Sequence, residues 1–282
     1  MQYIAPTPAP TIRSGLGPWA LASIVVGVGV GPVMGGAAFA VCAVQVRRAR
    51  RHPGVAPDVV ATDAFLADQN VEDPTPLRVT WLGDSLAAGV GADAVEETPA
   101  MVVARLLQRP VDLRILAVSG AKAKDVVEDQ LPRLEPTDLV VISVGANDVA
   151  SASSRHRYAR RLDTILAATA PAPTVVMSMP DITMADRIGQ PVRWLAGRRA
   201  RYFDAARRRV TDRHPHAITA DVATMPADLS RDAGRELLCA DRFHPGPQVY
   251  RIWADRITTA ARQLMEQLDT VASSAPVAVA SA

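Results

Sequence analysis

Two patterns of apolar residues divide the chain. Residues 19–46 form a run that is almost wholly apolar or small, inside a stretch from 14 to 46 with no formal charge. About 20 apolar residues cross a bilayer as a helix, so the run predicts one transmembrane helix at 19–46 after a short N-terminal segment, 1–18. Its glycines and Pro32 suit a membrane helix better than a soluble one. The competing reading, a signal peptide cut after Ala38-Phe39-Ala40, calls for an apolar core of only about 7–15 residues.

Beyond residue 77 the pattern changes. Short apolar runs at 77–82, 111–118, 139–144, 174–179 and 217–222 read as buried strands. The stretches between and after them, 98–108, 123–134, 155–170, 192–210 and 248–268, read as helices, the last with Pro247 near its first turn. In 192–210, Leu195, Tyr202, Ala206 and Val210 mark an apolar face, and Arg198, Arg201, Arg208 and Arg209 a solvated one. Strands alternating with helices predict a parallel five-stranded sheet covered on both faces, an α/β three-layer α/β/α sandwich at 77–269. Residues 47–76 read as a basic juxtamembrane region and linker, with a short helix around 61–68. Residues 270–282, rich in Ala, Ser and Val, read as a disordered tail.

Charge refines this division. Five of the 31 basic residues and none of the 29 acidic ones lie in the first 51 residues, so the globular region is mildly acidic. That argues against nucleic acid as a partner. Arg47, Arg48, Arg50 and Arg51 follow the apolar run, against Arg13 alone before it. The positive-inside rule then places the cluster, and the domain behind it, on the cytoplasmic side of a single-pass membrane protein. Cys42 and Cys239 are too few for a disulfide framework, and no Cys/His cluster has zinc spacing, so no metal or other cofactor is expected. His214 and His216, in a His-Pro-His loop, read as surface histidines without a third ligand. Cys239 reads as a small buried residue.

The candidate chemistry sits where apolar runs stop. Gly83-Asp84-Ser85-Leu86 follows the first strand, Ser119-Gly120 the second, and Gly145-Ala146-Asn147-Asp148 the third; Asp241-Arg242-Phe243-His244-Pro245 precedes the last helix. In a parallel sheet the first three converge at the carboxyl edge, where ligands bind. A serine hydroxyl becomes a nucleophile when a base takes its proton, histidine is that base near neutral pH, and a carboxylate three residues earlier can orient it. The Ser85 and Gly120 backbone N–H groups with the Asn147 amide could form a three-part oxyanion hole. Asp84 and Asp148 read as turn braces.

These four blocks resemble those of the SGNH, or GDSL-type, hydrolases, in the expected order over residues 78–265. One flank departs: Val249 stands before Tyr250 where the family often has glycine, a difference of helix packing. The resemblance implies a flavodoxin-like sandwich and hydrolysis of carboxylic esters. It makes Ser85 the nucleophile, His244 the base, Asp241 the triad acid, and Ser85, Gly120 and Asn147 the oxyanion donors. The expected substrate is an acyl ester: a lipid, an acylated sugar or another small ester. An acyltransferase using the same acyl-enzyme and a silent membrane-tethered binding module are the alternatives.

Overall fold

The computed structural model describes residues 59–66, 75–151, 153–184, 189–225 and 237–274. The span expected at 19–46, the N-terminal segment before it and the arginine cluster behind it lie outside the described residues. Among the described residues, no helix is long and apolar enough to cross a membrane.

The five expected strands are present and parallel: β2 (Leu77–Gly83), β3 (Val111–Ile115), β4 (Leu139–Ser143), β5 (Thr174–Met177) and β6 (Ala217–Ala220). The sheet nevertheless has six strands, in the order β1-β3-β2-β4-β5-β6, because β1 (Ala64–Leu66) pairs antiparallel with β3. This corrects both the five-stranded count and the helix expected around 61–68. The far edge of β3 carries unpaired backbone groups, and Ala64–Leu66 satisfies them. Asp63 Oδ1 caps the same edge by accepting the Ile115 N–H at 2.7 Å. The linker assigned to 47–76 therefore contributes a strand, and Ala61 joins the core.

Alternation along the strands sorts the core into two layers. Val79, Trp81, Val111, Leu113, Leu139 and Val141 face α1 (Pro99–Leu106) and the C-terminal helix; Leu82, Val140 and Ile142 face the helices of the other side. On that second side lie α2 (Ala123–Asp125), α3 (Ala146–Val149), α4 (Arg155–Thr169) and α5 (Val192–Thr211). The last helix, α6 (Pro247–Ser274), runs five residues beyond 269, so the start of the expected tail is helical.

Three local expectations change in the structure. The helix expected at 123–134 is α2 followed by one π-helical turn, Val126–Gln130, and a 3-10 turn, Leu131–Arg133. Pro132 cannot donate the next helical bond, so regular winding stops there. In α5 the buried face is Val192, Ala196, Ala200, Phe203, Arg207 and Val210, which leaves Tyr202 exposed. Arg207 is fully buried because its guanidinium meets Asp204 Oδ1 at 2.8 Å and Thr219 Oγ1 at 2.8 Å. His216, expected on the surface, is buried, with Nε2 2.9 Å from the Leu166 carbonyl.

Candidate active site

β2 lies between β3 and β4, so the loops leaving all three strands meet at one edge of the sheet. The chain turns sharply after β2. Gly83 has φ of +131°, and a Cβ there would stand 1.8 Å from the Ser143 carbonyl oxygen. Only glycine allows this approach, and it swings Asp84 and Ser85 out of the strand. Asp84 is buried under the turn, where Oδ1 accepts the Leu86 N–H at 3.1 Å and the Ser143 hydroxyl at 3.3 Å. Burial pushes its carboxyl up to about 7, against the pull of those two bonds.

Ser85 Oγ lies 3.0 Å from His244 Nε2, and His244 Nδ1 lies 2.5 Å from Asp241 Oδ2. The three side chains thus form one hydrogen-bonded chain linking the β2 loop to the segment before α6. Asp241 Oδ1 accepts the N–H groups of Phe243 (2.8 Å) and His244 (2.9 Å) and the Cys239 thiol (3.0 Å). Burial alone would raise the Asp241 carboxyl, but the bond to His244, the charge there and the backbone donors hold it well below the usual carboxylate range. The segment is a closed hairpin: Cys239 N–H donates to the His244 carbonyl at 2.9 Å and Gly246 N–H to the Leu237 carbonyl at 2.8 Å.

Asn147, at the start of α3, is buried and lines one cavity with Ser85 and His244. One of its amide hydrogens goes to the Ala121 carbonyl at 3.1 Å, which leaves the other for a ligand. Asp148 braces the same junction, its Oδ2 accepting the Ala123 N–H at 2.8 Å. Gly120 stands in the loop between β3 and α2 with φ of +84° and open space beside its Cα. It does not line the cavity; its loop is tied in through Val118 N–H to the Gly83 carbonyl at 3.0 Å and through the Asn147–Ala121 bond. The cavity walls are mostly apolar, with Leu86, Val149, Met184, Met225, Val249 and Trp253 among them. Among the described residues, no group of His, Cys, Asp or Glu side chains is placed to hold a metal ion.

Sequence reasoning missed several supports. Cys239 is a half-buried donor to Asp241, and burial with that contact pushes its thiol up to about 12. Gly91 is needed because a Cβ there would meet the Pro245 carbonyl oxygen at 2.2 Å. Tyr250 Oη donates to the Val90 carbonyl at 2.5 Å, tying α6 to the β2 loop. Arg199 grips the carbonyls of Val149 and Ser151 at 2.8 and 3.0 Å, and that of Ser153, behind α3. The glycine at 91 and the tyrosine after Val249 were visible signals; the partners of Arg199 were not.

Residues 81–252 match the GDSL-like Lipase/Acylhydrolase family model. A GDSL-like esterase of Mycobacterium tuberculosis (strain ATCC 25618 / H37Rv) is 30% identical over 208 residues, 70% of this chain and 66% of the relative, just under two thirds of its length. A protein of the G-D-S-L family from Desulfitobacterium hafniense DCB-2 superposes with a TM-score of 0.53 at 16% identity, covering 65% of this chain and 98% of that one. The psychrotrophic esterase EstA from Pseudoalteromonas sp., solved with monoethylphosphonate inhibition, gives 0.51 at 18% identity over 67% of this chain and 98% of that one. At these identities the two structures speak to the fold.

Proposed function

The chain belongs to the GDSL-like lipase/acylhydrolase family, and on that premise we propose that it hydrolyses carboxylic esters through an acyl-enzyme on Ser85. The observation that carries this reading is the continuous hydrogen-bonded chain from Ser85 through His244 to Asp241 at the wall of the cavity. In this mechanism Ser85 Oγ attacks the ester carbonyl as His244 Nε2 takes its proton. Asp241 holds the imidazole by Nδ1 and stabilises the imidazolium. The oxyanion is received by the Ser85 N–H and the free amide hydrogen of Asn147, both at the cavity wall, with the Gly120 N–H as the third expected donor from the loop bonded to Gly83 and Asn147. His244 returns its proton to the leaving alcohol, then activates the water that releases the acid. The mechanism uses no cofactor.

The apolar walls favour esters carrying a hydrocarbon group over highly polar ones. Location adds to this. The uncharged apolar run at 19–46 and the arginines behind it support a single-pass anchor that keeps the enzyme at a membrane, on the arginine side. Alkaline extraction of membranes and protease protection test the anchor and its orientation. A chain released by alkaline carbonate defeats the anchor without touching the chemistry.

Full-length protein in detergent, treated with a fluorophosphonate and assayed on p-nitrophenyl acetate and octanoate, tests the activity. The expected result is labelling and turnover by the native chain and neither by Ser85→Ala. A folded native chain that neither labels nor turns over either ester overturns the reading.

A further inference from the structure

We infer that Gln130, 45 residues along the chain from Ser85, is a positioning residue that holds the nucleophile turn in register with the Gly120 loop. The inference rests on the ester-hydrolase reading above and adds a residue to it. Gln130 is 1% exposed, and both polar atoms of its side chain go to a single residue. Oε1 accepts the Gly83 N–H at 2.7 Å and Nε2 donates to the Gly83 carbonyl at 2.8 Å. Gly83 is two residues before Ser85 and carries the turn that presents it.

The reason for a glutamine lies in the sheet. On the β4 side, Gly83 pairs in register with Ser143 and Asp84 N–H donates to the Ser143 carbonyl at 2.9 Å. On the other side, the β2–β3 register ends at Trp81 opposite Ile115, and the chain beyond β3 reaches only the Gly83 carbonyl, through the Val118 N–H, while the Gly83 N–H goes to Gln130. The Gln130 amide supplies an acceptor and a donor in one plane, as a peptide unit would: Oε1 takes the place of the missing strand carbonyl, and Nε2 adds a second donor to the Gly83 carbonyl. Asparagine is one methylene shorter, and an ionised glutamate accepts but cannot donate.

Gly83 also connects the two halves of the expected oxyanion site. Its carbonyl accepts the Val118 N–H at 3.0 Å as well as Gln130 Nε2. Val118 is two residues before Gly120, and Gln130 ends the π-helical turn Val126–Gln130 that follows the same loop. The segment from Gly120 to Gln130 is therefore pinned near its start by Asp148 on Ala123 and at its end by Gln130 on Gly83. A displacement of a few tenths of an ångström at Gly83 would move Ser85 against both the imidazole and the Gly120 N–H, and alignment at this scale governs rate more than binding.

Three full-length proteins in detergent test this: native, Gln130→Met and Gln130→Glu, with kcat, KM, fluorophosphonate labelling and thermal unfolding measured from pH 5 to 8. Gln130→Met keeps the volume and loses both bonds; its kcat should fall about 10- to 100-fold with KM within about threefold. Gln130→Glu carries the sharper signature. A protonated carboxyl can accept from Gly83 N–H and donate to its carbonyl, whereas the carboxylate repels that carbonyl. Burial raises such a carboxyl towards neutrality. The ratio of variant to native kcat should therefore approach one at pH 5 and fall to the Gln130→Met level at pH 8. Native kcat in folded Gln130→Met overturns the inference. So does a pH-independent ratio for Gln130→Glu, or failure of that variant to fold or regain activity at pH 5. A native chain that neither labels nor turns over points instead to failure of the ester-hydrolase reading.

Discussion

The site has two halves that are held in opposite ways. The Ser85–Asn147 half is built on strand ends and fixed by buried side chains reaching far along the chain: Gln130 to Gly83, Asp148 to Ala123, Ser143 to Asp84. The Asp241–His244 half is a local hairpin closed by bonds among residues 237–246. The halves touch through the Ser85–His244 bond, the close approach of Gly91 to Pro245 and the Tyr250–Val90 bond. Their carboxylates differ accordingly. Burial dominates at Asp84 and Asp148 and raises both, while hydrogen bonds and charge win at Asp241 and lower it. A site assembled from distant strands hides its braces in the core; a local hairpin supplies its own donors.

The comparison breaks most visibly at glycine. Gly83→Ala places a Cβ against the Ser143 carbonyl at positive φ and should cost about 3–5 kcal/mol. Gly246→Ala meets backbone atoms of Leu237, Leu238 and Cys239 at 3.4, 3.7 and 3.8 Å, ordinary contacts, and should cost under about 1 kcal/mol. Denaturant unfolding measures both, and equal losses would erase the distinction between the halves.

The pH dependence of stability sharpens it next. The Asp84 carboxyl rises to about 7 on folding, so the folded state binds the proton more tightly than the unfolded chain. Its contribution is full below the ordinary carboxylate range and is lost as pH rises to about 7, up to about 4 kcal/mol. Asp241 has the opposite sign: its stabilisation is present above the ordinary range and lost as pH falls below it. In unfolding titrations from pH 2 to 8, Asp84→Asn should flatten the decline between pH 4 and 7, and Asp241→Asn the decline on the acid side. An unchanged slope in either variant removes that carboxylate from the account.

Asn147→Ala tests the strand half by rate, with kcat expected about 10²–10³-fold lower and the fold kept. Near-native turnover would take Asn147 out of the oxyanion site. The smallest effect belongs to the hairpin. Cys239→Ala removes one of three donors to Asp241 Oδ1. It should lower kcat/KM about threefold to tenfold, as for a single hydrogen bond; a loss beyond 100-fold would make the hairpin as dependent on one brace as the strand half.

The same division explains what could be read in advance. The hairpin's working pair is three residues apart, so Asp241 and His244 were visible as a unit. Ser85 and Asn147 were visible because each follows an apolar run that stops at glycine-containing polar residues. Their braces were not. Nothing in the spacing of Gln130 or Arg199 announces its partner, since their bonds span dozens of residues; Cys239 stands two residues from Asp241, and only the direction of its thiol was hidden. The arginine stripe on α5 gave the helix, yet Arg207 turned inward because Asp204 and Thr219 meet its guanidinium there.

By itself the sequence determined the strand–helix alternation, the parallel sheet and the residues of the hydrogen-bonded chain, because periodicity and local turns are properties of neighbouring residues. Tertiary structure alone decided the sixth strand, the burial of His216 and the grip of Gln130 on Gly83. Each answers a backbone group or buried polar atom that lacked a partner at that place in the fold, and such a need exists only once the strands have come together.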